Sequence, residues 1–164
     1  MTRSRARRAA APLFAALTLL VGCSHIVILH DPLTAAEHND LGVAYERDGK
    51  LGLAAHEYRR ALRLDPGLVR ARVNLGNLAA SDQRWAEAMR CFRRALDESP
   101  DDADALNNLA VVLARGLKRF AEAERLAARA VSLGGAHDSL YRATLDEVRA
   151  ARSMSVRAAR RGGR

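Results

Sequence analysis

Two cysteines, five histidines and one dense run of carboxylates are the side chains in this 164-residue sequence whose types could do chemistry. Cys23 ends an apolar run, LTLLVGCSH, and Cys91 sits in MRCFRRAL. A thiol is a nucleophile, a metal ligand or a point of covalent attachment, and for the first two it must be held as the thiolate. Cys91 reads instead as a small, partly buried helix residue. His25 and His30 lie in a short tether without carboxylate or thiol partners at ligand spacing, so no metal site is expected there. Asp101, Asp102 and Asp104 follow Pro100. At that place they cap a helix and complement its dipole. The sequence has no GxxxxGK phosphate loop, no HExxH and no GxSxG. The expectation is therefore a chain that is not an enzyme, with no catalytic residue, no metal, no cofactor and no small-molecule substrate.

The elements that must position these residues show in composition and charge. Apolar residues make up 49% of the chain but aromatic ones only 4%, so a core must come from Leu, Ala and Val packed closely, which suits helices. The formal net charge is +8. Of 27 lysines and arginines, four lie in residues 1–22 and five in residues 152–164, where there is no acid; the remaining 18 meet all 19 acids. The body is near neutral, and a nucleic-acid surface is excluded for it.

Arg3, Arg5, Arg7 and Arg8 precede an apolar stretch from Ala9 to Val21, too short for a bilayer core that takes roughly 20 residues. That order is a secretory signal rather than a membrane helix. Leu20-Val21-Gly22-Cys23 resembles the lipobox of bacterial lipoproteins. The resemblance implies a diacylglyceryl thioether on Cys23 and removal of residues 1–22. Residues 23–33 then become a lipidated tether. Ser24, where an Asp would retain the protein at the inner membrane, implies an outer-membrane lipoprotein facing the periplasm if the cell is Gram-negative. Several acyl chains hold firmly, since each buried CH₂ adds about 0.8 kcal/mol.

Three segments align in register: HNDLGVAYERDGKLGLAAHEYRRALRLDP, RVNLGNLAASDQRWAEAMRCFRRALDESP and LNNLAVVLARGLKRFAEAERLAARAVSLG. Leu41-Gly42 and Leu75-Gly76 are 34 residues apart, and Leu109-Ala110 follows after another 34. The pattern resembles the tetratricopeptide repeat (TPR). Leu41, Gly42, Tyr45, Ala54, Tyr58, Ala61 and Pro66 fill its signature places in the first copy. Leu75, Gly76, Ala88, Phe92, Ala95 and Pro100 do so in the second, with Ala79 in place of a Tyr. Leu106, Leu109, Ala110, Leu113, Ala123, Ala127 and Ala130 fill the third. That copy carries one extra residue in ARGLKRF and has Gly135 in place of the Pro. The resemblance implies an all-α chain of seven helices. Repeats at 35–68, 69–102 and 103–136 form a short right-handed solenoid. A helix over 137–152, with Leu140, Tyr141, Leu145 and Val148 at helical spacing, caps the open end. Residues 153–164, small and basic, read as a disordered tail.

In this family the first helix of each repeat lines a concave groove for an extended peptide or a partner helix. The repeat phase then assigns partner binding to Asn39, Val43, Arg70, Asn74, Asn77, Asn107, Asn108 and Val111. An Asn amide both donates and accepts, so it pairs with a main chain whatever the side chains. Asn74 and Asn77 on one helix, with Asn107 and Asn108 on the next, are expected to hold two successive stretches of such a chain, so that replacing Asn77 and Asn107 together weakens capture and leaves the fold intact. One family subgroup clamps C-terminal carboxylates with Lys and Arg at groove places that Asn39, Val43, Asp104 and Asn108 occupy here, and that clamp is not expected. Two roles follow from the sequence. The first is a membrane-tethered adaptor for a protein or peptide partner in the cell envelope. The alternative is a scaffold that associates with itself.

Overall fold

The computed structural model describes residues 32–162. The expected signal peptide (1–22), Cys23 and the tether up to Asp31 lie outside the described residues. Seven α-helices follow one another: α1 (Ala35–Arg47), α2 (Leu51–Leu64), α3 (Val69–Ser81), α4 (Trp85–Glu98), α5 (Ala103–Val111), α6 (Phe120–Leu133) and α7 (Asp138–Gly162). A π-helical segment, Val112–Gly116, continues α5, and there is no strand among the described residues. The all-helical expectation holds, as a stack of helix pairs: α1 packs on α2, α3 on α4, α5 on α6, and α7 on α6.

Each pair is punctuated locally. Thr34 opens α1 with a capping box: the Glu37 N–H donates to Thr34 Oγ1 at 3.3 Å, and the Thr34 N–H donates to Glu37 Oε2 at 2.7 Å. The turns inside the three pairs each need one residue in the left-handed region, at Gly49 (φ +72°), Gln83 (φ +58°) and Lys118 (φ +56°). Only the first is the glycine that this conformation favours. Gln83 follows Gly49 by 34 positions but Lys118 follows Gln83 by 35, and the extra residue of the third copy is taken up in the π segment, where the Leu117 N–H reaches back to the Val112 carbonyl at 3.2 Å. Gly116 at its end lies so close to the Trp85 indole that a Cβ would overlap it.

Small residues at fixed phase let the pairs close. Ala54, Ala88 and Ala123 are fully buried, as are Ala61, Ala95 and Ala130. Tyr58 and Phe92, also fully buried, fill the space beside them, but the third copy has Ala127 at that place. There α7 supplies the missing bulk. Leu145 and Val148 pack with Ala123 and Ala127, and Tyr141 packs with Leu106 and Ala130. Leu140, expected on the same face, is 53% exposed.

The reading of residues 153–164 as a disordered tail needs correction. Helix α7 runs through them to Gly162. Its Ala, Met and Arg residues are good helix formers, and no glycine or proline interrupts the run between Asp138 and Arg161. Ion pairs fasten its middle. Arg115 reaches Glu147 at 2.7 Å and 3.0 Å, while Arg149 and Arg152 reach Glu124 at 3.1 Å and 2.6 Å. Arg152 and Arg149 hold the Glu124 carboxyl below the usual carboxylate range. Arg115 does the same for Glu147.

Candidate functional site

The first helices of the three pairs, α1, α3 and α5, bring the asparagines predicted from sequence into one row, and the row is already cross-linked. Asn74 Nδ2 on α3 donates to Asn39 Oδ1 on α1 at 3.0 Å, and Asn39 Nδ2 donates to Asp40 Oδ1 at 3.1 Å. One turn further along α3, Asn77 Oδ1 accepts from Asn108 Nδ2 on α5 at 3.0 Å. These bonds tie successive repeats together through side chains.

The consequence differs from one asparagine to the next. Asn39 and Asn107 are buried, 3% and 2% exposed. They belong to the helix packing and offer a partner no surface, so the expectation that Asn77 and Asn107 act together on a bound chain is corrected. Asn107 sits where the helices close on each other, whereas Asn77 is exposed. Asn74 uses its amide nitrogen and Asn77 its oxygen on the neighbouring helices. The Asn74 oxygen and the Asn77 N–H groups have no partner among the described residues. An acceptor and a donor thus stand three positions apart on one face of α3, the spacing that places two helical side chains side by side.

Beside them α3 and α5 bound a depression of about 460 Å³. Its apolar part is Leu68, Val69 and Val73; Arg70 stands on one side, and Asp102 and Asp104 on the other. Arg70 Nη1 also faces Asp40 Oδ1 at 3.8 Å. Asp102 caps α5, its Oδ1 accepting the Ala105 N–H at 2.8 Å. Asp104 accepts the Tyr141 hydroxyl proton at 2.8 Å and faces His137 Nδ1 at 2.9 Å, so the capping helix fixes this rim. Burial, and then the hydrogen bond to Asp104, push the Tyr141 hydroxyl up to about 12. Of the residues assigned from sequence, Arg70 and Asn74 line the depression, with Asn77 and Asn108 next along the row. Val43 packs half-buried against the core beneath α1 and α2, and Val111 is half-buried too. The part of Asp102 in this site was hidden by its capping role.

His38 carried no signal in the sequence. It is buried, 2% exposed, with Nδ1 2.6 Å from Glu57 Oε2, joining α1 to α2. Only contact across a helix pair reveals that bond. Among the described residues no cluster of histidine, cysteine and carboxylate could hold a metal ion, and no helix is long and apolar enough to cross a membrane.

The repeat geometry recurs in known proteins. Tetratricopeptide repeat profiles match residues 35–68 and 73–138. Among solved structures the chain is similar to the first TPR domain of Spaghetti (RPAP3), bound there to the HSP90 peptide SRMEEVD. The TM-score is 0.67 at 18% identity, over 77% of this chain and 98% of that one. A search of curated proteins finds no significant match. With helix pairs at the expected phase and family profiles over most of the described residues, the chain belongs to the tetratricopeptide repeat family.

Proposed function

We propose that this protein is an interaction adaptor that holds an extended segment of a partner protein along α3, between α1 and α5. The observation that carries the reading is the depression beside Asn74 and Asn77. It pairs an apolar floor with opposite charges at its two rims, and next to it stand one unused acceptor and one unused donor. A partner chain would set an apolar side chain over Val69 and Val73 and its main chain against the two amides. Recognition would then depend on backbone pairing more than on one particular charge. The similar domain solved with a bound peptide supports a peptide-binding role. A carboxylate clamp is unsupported, because Asp104 stands where that clamp needs a cation.

The order of basic residues, apolar stretch and Leu-Val-Gly-Cys supports a second part of the proposal. The adaptor is anchored to the cell envelope by lipid on Cys23, at the periplasmic face of the outer membrane if the cell is Gram-negative. Exposed apolar residues on α7, Met154 and Val156, favour self-association as the competing reading.

One experiment separates these readings. A photo-cross-linker at position 77 should capture a partner in membranes of the native cell, and one at exposed Leu51 should not. Capture should fall at least about tenfold with Arg70→Glu and Asn74→Ala together. Equal capture from both positions refutes the groove, and a product made only of this chain marks self-association. Cys23→Ser should release the chain from membranes; a parent chain that high salt alone removes would overturn the anchor.

A further inference from the structure

The face of the stack opposite the asparagine row carries a second pocket of different chemistry. At about 100° per residue, Arg72 and Leu75 point away from Arg70, Val73, Asn74 and Asn77 on α3. They point toward a pocket of about 450 Å³ between α2 and α4. Five arginines line it, Arg59 and Arg63 from α2, Arg72 from α3, and Arg90 and Arg94 from α4, against one acid, Glu87. In each of α2 and α4 the two arginines are four positions apart, so each helix offers one row of guanidinium groups.

The single carboxylate is already engaged. Glu87 pairs with Arg84 at 2.5 Å, outside the pocket, and lies 3.7 Å from Arg59. Arg63, Arg90 and Arg94 form no ion pair among the described residues. This sets them apart from Arg93, Arg115, Arg129, Arg142 and Arg152, each of which meets an acid. Arg72 gives one N–H to the Pro66 carbonyl, and its buried Nε–H has no acceptor. A buried donor without a partner and five like charges gathered around one acid both cost free energy, and a bound anion supplies the missing counter-charge. Leu62, Leu75 and Pro66 supply apolar surface beside the charges, where exclusion of water strengthens their attraction for an anion. Cys91 sits among them. Burial and then Glu87 push its thiol up, against the pull of Arg72, Arg90 and Arg94, which favours the neutral thiol over the thiolate.

We propose that this pocket binds a phosphate-bearing anion, with Arg63, Arg72, Arg90 and Arg94 as its ligands. Planar guanidinium groups pair phosphate oxygens two at a time. The volume is that of a small-molecule site, large enough for two phosphate groups or for one phosphate with an organic substituent. The site lies on the far side of α3 from the proposed groove, so both can be filled at once.

The test uses the full chain and inorganic pyrophosphate, titrated by calorimetry at constant ionic strength. One-site saturation is expected, with a rise in melting temperature. Arg90→Ala with Arg94→Ala should weaken binding by at least about tenfold. The control pair Arg157→Ala with Arg160→Ala, which removes the same charge from α7, should bind as the parent does. Arg63→Ala, at an exposed position, gives an independent reading if the double variant does not fold. Absence of saturable binding, or equal loss in pocket and control pairs, overturns the proposal. Flotation of the Cys23→Ser chain, which lacks the proposed anchor, with phosphatidylcholine vesicles, with and without phosphatidic acid, locates the source of the phosphate. Capture that requires phosphatidic acid and falls in the pocket pair marks a lipid headgroup. Capture equal in pocket and control pairs, beside pyrophosphate binding that distinguishes them, marks a soluble compound; both results support the site.

Discussion

Gly42→Ala and Gly52→Ala are the same chemical change on neighbouring helices, and they should shift stability in opposite directions. In α1 a Cβ at Gly42 would lie 2.5 Å from Tyr58 Cε1 and 2.7 Å from Cδ1. Carbon atoms rest at about 3.5–4.0 Å, so the overlap is about 1 Å. The ring cannot swing aside easily: Tyr58 is fully buried and its hydroxyl donates to Glu46 Oε2 at 2.7 Å. Overpacking costs about 1–3 kcal/mol, and an overlap this large belongs at the upper end. Alanine recovers about 1 kcal/mol of helix propensity, which leaves a net loss of about 1–2 kcal/mol. At Gly52 in α2 nothing lies within 4 Å of an added Cβ. Only the propensity gain remains, about 0.5–1 kcal/mol. The two variants should therefore differ by roughly 1.5–3 kcal/mol, or about 4–15 °C in melting temperature for a body of this size. Thermal unfolding followed by far-ultraviolet circular dichroism measures the difference. In a Tyr58→Leu background the Gly42→Ala loss should shrink, since the overlapping ring is gone. Shifts of the same sign at the two glycines would refute the close-contact account of this helix pair.

Four further predictions concern the capping helix. Tyr141→Phe keeps the buried ring but removes the hydroxyl that donates to Asp104, and should cost about 1–2 kcal/mol in denaturant unfolding; an unchanged midpoint would mean that the bond adds nothing over water. Glu124 and Glu147 have lowered pKa values in the folded chain, so their stabilisation is present above the unfolded value of about 4.3 and is lost as pH falls through the folded values. Melting temperature should accordingly drop on the acid side, and Glu124→Gln with Glu147→Gln should flatten that drop; an equal drop in the variant refutes the assignment. Ending the chain after Arg152 removes a segment whose described side chains, 153–161, are all exposed, and should change stability by less than about 1 kcal/mol. Ending it before Asp138 uncovers Leu106, Ala123, Ala127 and Ala130 and should cause aggregation, which light scattering detects.

The sequence by itself determined the repeat and its phase. Leu41-Gly42, Leu75-Gly76 and Leu109-Ala110 recur because the same close helix contact is built three times, and a contact that recurs leaves a period. It also marked the third copy as irregular, through the extra residue in ARGLKRF. Where that residue goes was a tertiary matter. The segment could have lengthened a turn, but against Trp85 it forms a π turn ending at Gly116. The proposed groove was legible as a set of helix faces, and Arg70, Asn74, Asn77 and Asn108 lie on them. Burial separates those residues from Asn39 and Asn107, which stand one position away in phase from Asp40 and Asn108. On a helix one position is about 100° of rotation, enough to turn an amide from solvent into the adjoining helix. Period locates a face; only the packed neighbour decides which side of it stays wet. The arginine pocket shows the same division. Its arginines come from three helices, each with an ordinary solvated pattern of its own, and their meeting without enough acid exists only once α2, α3 and α4 are stacked.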